Sequence, residues 1–368
     1  MFNRFVATLL IAHPHKETSM KRNLCGAVFT LTALILLGPA AYTGTAQTFS
    51  AWSEPVNLGP TVNSSSTDFG PAISRDGLSL YISSNRPGGL GGFDLWVSQR
   101  ASVNDPWGPP VNLGPSINSS SDEILPNFSP DGHLMFFSTN RPGGVGDFDV
   151  WASRRANPHD DFGWQPPVNL GPGINTAGFE AAPHYFEKKG CGVPELFFTS
   201  GRAGGLGGFD SYVSAFAPED NDDDSGGHRV VGEGSFRLAS LVFELSSPQT
   251  DARPNLRDDG REIFFYSNRP GSIPGSIGDS LDLWTSTRET CLDAWSTPVN
   301  LGSTVNSAFS EQHPTLSCDG ETLIFSSNRP NGSGLSDLYM TTRTRLEGPT
   351  TDGDEKGHRE VNCKLFGG

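Results

Sequence analysis

Five carboxylates recur in one setting along this chain. Asp68, Glu123, Glu180, Asp251 and Glu311 each stand three residues before a proline, at Pro71, Pro126, Pro183, Pro254 and Pro314. An arginine follows each of them, Arg86, Arg141, Arg202, Arg269 or Arg329, with a spacing of 18 residues in four of the five cases. A carboxylate and a guanidinium brought together make strong, charge-assisted hydrogen bonds. Left apart, the same ten side chains would form a ring of binding sites. The five acids also suit a hard cation such as Ca²⁺, which takes several carboxylate and carbonyl oxygens. Glu123, Glu180 and Glu311 could furnish the carboxylate pair that glycoside hydrolysis requires. Against both ligand readings, a catalytic group is normally unique, whereas a clamp needed by every structural unit recurs. Recurrence favours the clamp.

The elements that carry these groups repeat as well. "SSNRPGGLGGFDLWVSQR" from 83, "STNRPGGVGDFDVWASRR" from 138 and "TSGRAGGLGGFDSYVSAF" from 199 are versions of one segment, and two looser copies begin at 267 and 327. Their closing aspartates, Asp94, Asp149, Asp210, Asp282 and Asp337, lie 55, 61, 72 and 55 residues apart. Such a period marks an array of supersecondary units. Within the first unit, "FGPAIS" and "LSLYISS" flank "RDG", a strong hairpin signal. "FDLWVSQR" and "WGPPVNLG" complete four short strands, a to d. Proline cannot donate to a sheet ladder, so its place in every strand a puts that strand at an edge.

The fold expected is therefore all-β: a five-bladed β-propeller of four-stranded antiparallel blades. The chain opens on a d-type strand, "WSEPVNLG" (52–59), and its last unit ends on a c-type strand, "DLYMTTR" (337–343). The N-terminal strand can complete the last blade and close the ring, hiding two exposed sheet edges. The fourth strand of blade 3 is degenerate, within "LASLVFELS" (238–246). All seven tryptophans fall in two repeat slots: Trp96, Trp151 and Trp284 on strand c, and Trp52, Trp107, Trp164 and Trp295 before strand d. Packing between strands explains them better than sugar stacking.

"ISRDGLSLYISSNRPGGLGGFDLWVS" resembles the WD40-like repeat of TolB-type propellers, and its Asn-Arg-Pro-Gly-Gly form is similar to propellers joined to OmpA-like modules of bacterial envelope proteins. The resemblance spans about residues 50–345. It implies the fold; such propellers serve many proteins as interaction platforms.

A net charge of −15 disfavours nucleic acid, whose phosphates call for a basic face. Residues 1–46 read as an upstream extension and secretory signal, with Met20 as the start, Lys21 and Arg22, the run "LCGAVFTLTALILL", and cleavage after Ala46. That run is too short for a membrane span. Residues 47–345 form the propeller and 346–368 a polar tail. Export to the periplasm or exterior permits disulfides among Cys191, Cys291, Cys318 and Cys363, with three pairings open. No GxSxG elbow, HExxH helix or Cys/His metal spacing is present. The acidic run Glu219–Asp224 reads as a solvated loop. The expectation from sequence is a monomeric, non-catalytic propeller without a cofactor that binds an envelope or extracellular protein. A glycan-binding or glycoside-hydrolysing propeller using the central funnel is the alternative.

Overall fold

The computed structural model describes residues 48–217, 235–275, 280–346 and Cys363. The segment expected to be a secretory signal, the acidic run, residues 276–279 and the tail beyond 346 other than Cys363 lie outside the described residues.

Five four-stranded antiparallel sheets follow one another along the chain. Blade 1 is β3 (Asp68–Ile73), β4 (Ser79–Ser84), β5 (Asp94–Gln99) and β6 (Val111–Asn112). Blade 2 is β7 (Glu123–Phe128), β8 (Leu134–Thr139), β9 (Asp149–Arg154) and β10 (Val168–Asn169). Blade 3 is β11 (Glu180–Phe186), β12 (Glu195–Ser200), β13 (Asp210–Ala215) and β14 (Ser240–Leu241). Blade 4 is β15 (Asp251–Leu256), β16 (Glu262–Ser267), β17 (Asp282–Thr287) and β18 (Val299–Asn300). Blade 5 takes β19 (Glu311–Leu316), β20 (Thr322–Ser327) and β21 (Asp337–Thr342) from the end of the chain, and β2 (Val56–Asn57) from its beginning. The pairing Val56↔Met340 and Asn57↔Tyr339 closes the ring as the sequence pattern implies. A further pair, β1 (Thr48–Phe49) with β22 (Arg345–Leu346), adds a second closure that the sequence pattern does not signal.

Each innermost strand stands at the edge of its sheet, which accommodates the strand-a prolines. The residue before each proline has a left-handed backbone: Gly70, Leu125, Ala182, Arg253 and His313 have φ between 54° and 60°. Four of the five are not glycine, so the ring holds strain of order 1 kcal/mol at each of those sites. The twist turns backbone N–H groups toward the preceding blade: Leu125 donates to Ser83 Oγ at 2.9 Å, Ala182 to Ser138 Oγ at 3.0 Å and Arg253 to Thr199 Oγ1 at 2.8 Å. Apolar cores fill the spaces between adjacent blades, for example Tyr81, Leu95 and Val97 of blade 1 against Met135, Phe137 and Trp151 of blade 2.

The cysteines pair Cys191 with Cys291 and Cys318 with Cys363. The first bridge joins blade 3 to blade 4 across 100 residues. Closing so long a loop removes much freedom from the unfolded chain.

Candidate functional site

The five acid/arginine pairs form, and they form inward. Arg86 Nη2 donates to Asp68 Oδ1 at 2.5 Å, Arg141 to Glu123 Oε1 at 2.9 Å, Arg202 to Glu180 Oε1 at 3.4 Å and Arg329 to Glu311 Oε1 at 2.9 Å. Arg269 pairs likewise with Asp251. All five acids are fully buried. Their remaining oxygen capacity is filled locally: Glu123 accepts from the Ser119 N–H and hydroxyl and from Thr139 Oγ1, and Glu311 from the Ser307 N–H and hydroxyl and from Ser327 Oγ. Each arginine also donates to a backbone carbonyl of the preceding loop, as Arg86 does to Val62 O at 2.8 Å. The ring presents no carboxylate to solvent, and among the described residues no three His, Cys, Asp or Glu side chains gather where a metal ion would be held.

The strand-c aspartates are engaged elsewhere. Asp94 accepts from the N–H groups of Leu90 and Gly91 and from Asn112 Nδ2, holding the Gly-rich loop shut. The aromatic slots are also taken. The Arg86 guanidinium lies 5.5 Å from the Trp96 ring centre, Arg141 5.4 Å from Trp151 and Arg269 5.5 Å from Trp284. In the second slot Arg100, Arg155, Arg288 and Arg343 stack on Trp107, Trp164, Trp295 and Trp52 at 4.0–4.4 Å. These cation–π contacts make the tryptophans part of the scaffold.

Groups that do not repeat gather instead at the opposite end of the axis, where the a–b turns meet. The residue just before the turn's Asp-Gly differs in every blade that keeps this turn: Arg75, Pro130, Asp258 and Cys318, with Glu187 of blade 3 likewise four residues after its strand-a proline. Arg75, Glu187, Asp258 and Cys318 line one cleft with Asn127, His184, Tyr185, Asn255 and Arg257. The cleft measures about 90 Å³. Arg257 also borders a groove of about 690 Å³ that runs outward past Glu262, Arg288 and Trp295.

Two carboxylates face this cleft in different surroundings. Burial alone would raise the Asp258 carboxyl, but a hydrogen bond from Arg75 Nη1 at 2.5 Å and the charge of Arg75, joined by Lys188 Nζ at 3.2 Å, hold it below the usual range. Glu187 is exposed at the mouth and accepts a hydrogen bond from the Tyr185 hydroxyl at 3.1 Å. One carboxylate is locked ionised between cations; the other reaches solvent.

Beneath them an inter-blade latch runs around the axis. Asn127 Oδ1 accepts from Tyr185 N, His184 Nε2 from Leu256 N and Asn255 Oδ1 from Leu316 N, at 3.0, 3.2 and 3.0 Å. His184 therefore does an asparagine's work in blade 3. Burial first, and then the charge of Arg253, push its pKa down to about 3. None of these axial residues emerges from a search for repeated motifs. Aligning the five blades on their strand-a proline and comparing the fourth residue after it would have found Arg75, Glu187 and Asp258.

Searches against protein families and curated protein sequences return no match to the chain. Solved structures do share its fold. An α-L-arabinofuranosidase from Lactobacillus brevis superposes with a TM-score of 0.51 at 12% identity, over 78% of this chain and 92% of that one. A GH43 endo-arabinanase from Bacillus licheniformis gives 0.51 at 13% identity, over 78% and 96%. The catalytic domain of a GH62 α-L-arabinofuranosidase from Coprinopsis cinerea gives 0.50 at 14% identity, over 80% and 97%. This likeness establishes the five-bladed propeller. It also overturns the expectation of a non-catalytic interaction module, which rested on the repetition of near-identical blades: these similar rings belong to glycoside hydrolases.

Proposed function

We propose that the chain is a carbohydrate-active propeller that hydrolyses a glycan at the a–b end of its axis. One observation carries this reading: Glu187 and Asp258, on adjacent blades 3 and 4, face one cleft with no repeat-equivalent carboxylate in the other blades. Hydrolysis of a glycosidic bond needs an acid that protonates the departing oxygen and a second, ionised carboxylate that acts as base or nucleophile. Asp258 is the ionised member, kept so by Arg75 and Lys188. Glu187 is the proton donor, oriented by the Tyr185 hydroxyl. As the C–O bond breaks, Glu187 gives its proton to the departing glycosidic oxygen, which leaves as a hydroxyl, and Asp258 takes a proton from the water that attacks the anomeric carbon. The small axial cleft receives the sugar ring at the scission point, and the groove beyond Arg257 holds the adjoining units.

The fold shared with arabinofuranosidases and an arabinanase supports testing pentose polymers first. The Asn-Arg-Pro-Gly-Gly segments support placing the blades with TolB-type repeats, and the two disulfides support export to an oxidising compartment. Incubating the full chain with arabinan, arabinoxylan, xylan and galactan, and measuring reducing ends and retention in glycan-loaded gels, tests the proposal. Release from at least one polymer is expected. Neither release nor retention with any of them overturns it.

A further inference from the structure

Four arginines are buried in the described structure: Arg155, Arg253, Arg257 and Arg343. Three have carboxylate partners. Arg155 pairs with Asp161 at 2.9 Å, Arg257 with Glu262 at 2.7 Å, and Arg343 with Glu262 at 2.6 Å. Arg253 does not. It leaves blade 4 next to the axis, 1% exposed, and its Nη2 donates to the carbonyl oxygens of Pro71 in blade 1 at 2.9 Å and Pro126 in blade 2 at 3.2 Å. Its Nη1 is buried and has no hydrogen-bond partner among the described residues.

The titratable groups electrically coupled to this guanidinium are His184, His313 and Tyr266. None supplies a negative charge near neutral pH. Burial and the Arg253 charge put both histidines at about 3, and burial puts Tyr266 at about 12 despite Arg253. The guanidinium does not escape by losing its proton, since burial lowers it only to about 10. Carbonyl dipoles solvate the charge but do not cancel it, and a buried, uncompensated charge is costly. Its neighbours His184, His313 and Tyr266 keep partial accessibility although they lie at the heart of the ring.

We infer that Arg253 holds a small monovalent anion, with chloride as the abundant candidate, at the centre of the propeller. The Nη1–H group supplies the donor and the guanidinium the charge. Size favours a halide: the site lies between five closely packed strands and offers one unused arginine donor, which suits a spherical ion better than a tetrahedral oxyanion rich in acceptors. A water molecule would satisfy the N–H but leave the charge standing, and this difference can be measured.

The test follows thermal unfolding of the full chain in sodium chloride, bromide or gluconate at constant ionic strength, alongside crystals grown in bromide. A saturable rise in Tm in either halide is expected, about 5 °C at a hundredfold excess over Kd. NMR titration of the His184 and His313 rings should show both pKa values rising in chloride, because the anion offsets the Arg253 charge. Bromide should give an anomalous peak within hydrogen-bond distance of Nη1. Arg253→Met should abolish the halide dependence of Tm, and if that variant fails to fold the wild-type titration and the bromide crystal still decide. Equal Tm in halide and gluconate together with an axis free of anomalous signal would overturn the inference, leaving water as the partner of Nη1.

Discussion

Arg75 on blade 1 and Asp258 on blade 4 meet across the propeller axis, Nη1 to Oδ1 at 2.5 Å, although 183 residues separate them in the chain. The pair sets the charge state of the proposed site. Because burial pushes Asp258 up and Arg75 pulls it down, removing Arg75 lets burial act against Lys188 alone. Arg75→Ala should therefore shift the acid limb of the pH–rate profile upward. A limb that stays in place in Arg75→Ala would remove Asp258 from the ionisation that governs the rate.

The clamps at the other end should behave as structure. Arg141 connects Glu123, the Ile117 carbonyl and the Trp151 ring. Arg141→Ala strands a fully buried carboxylate and should lower stability by about 2–4 kcal/mol, with Arg86→Ala costing a similar amount. Denaturant unfolding measures both. Glycan hydrolysis by the folded fraction should be unchanged, because the clamps and the cleft lie at opposite ends of the axis.

Acid should loosen the ring through His184 and His313. Their folded pKa of about 3 lies below the ordinary 6.5, so the unfolded chain takes up protons that the folded one refuses. The stabilisation is fully present above about pH 6.5 and is lost as pH falls toward 3, at up to about 2.7 kcal/mol per pH unit for both rings together. His184→Asn keeps the latch to the Leu256 N–H with the side chain that Asn127 and Asn255 already use, and should roughly halve that slope. A slope equal to wild type would mean that His184 already titrates normally in the folded chain.

Closure depends on the first described residues. Val56 and Asn57 pair with β21, and Asn57 Nδ2 also donates to Asp337 Oδ2 at 3.0 Å. Deleting residues 48–60 should leave β21 as an open edge and give an aggregating protein, seen by light scattering. Unfolding at the wild-type temperature would contradict the ring topology.

Much of this architecture was legible in the sequence because the blades repeat. The strand-a prolines marked the edge strands, the 18-residue acid-to-arginine spacing marked the clamps, and the N-terminal "PVNLG" marked the closing strand. The axial groups were hidden by the same repetition. Arg75, Glu187 and Asp258 occupy a slot that changes from blade to blade, so comparison of the repeats averages them away, and only the closed ring brings them together. Arg253 sits in the left-handed slot held by Gly70, Leu125 and Ala182 in earlier blades, and nothing local to "DARPNL" shows that its guanidinium ends beside the carbonyls of blades 1 and 2.

The central claim is that Glu187 and Asp258 together cleave a glycan in the axial cleft. Reducing-end release by wild type, Glu187→Gln and Asp258→Asn, each confirmed as folded by its near-ultraviolet circular dichroism, tests it most directly. We predict turnover of at least one pentose polymer by wild type and a loss of at least about 100-fold in each variant, the scale expected when a general acid or base is removed. Wild-type turnover that persists in both folded variants would place the chemistry elsewhere on the propeller and contradict the account.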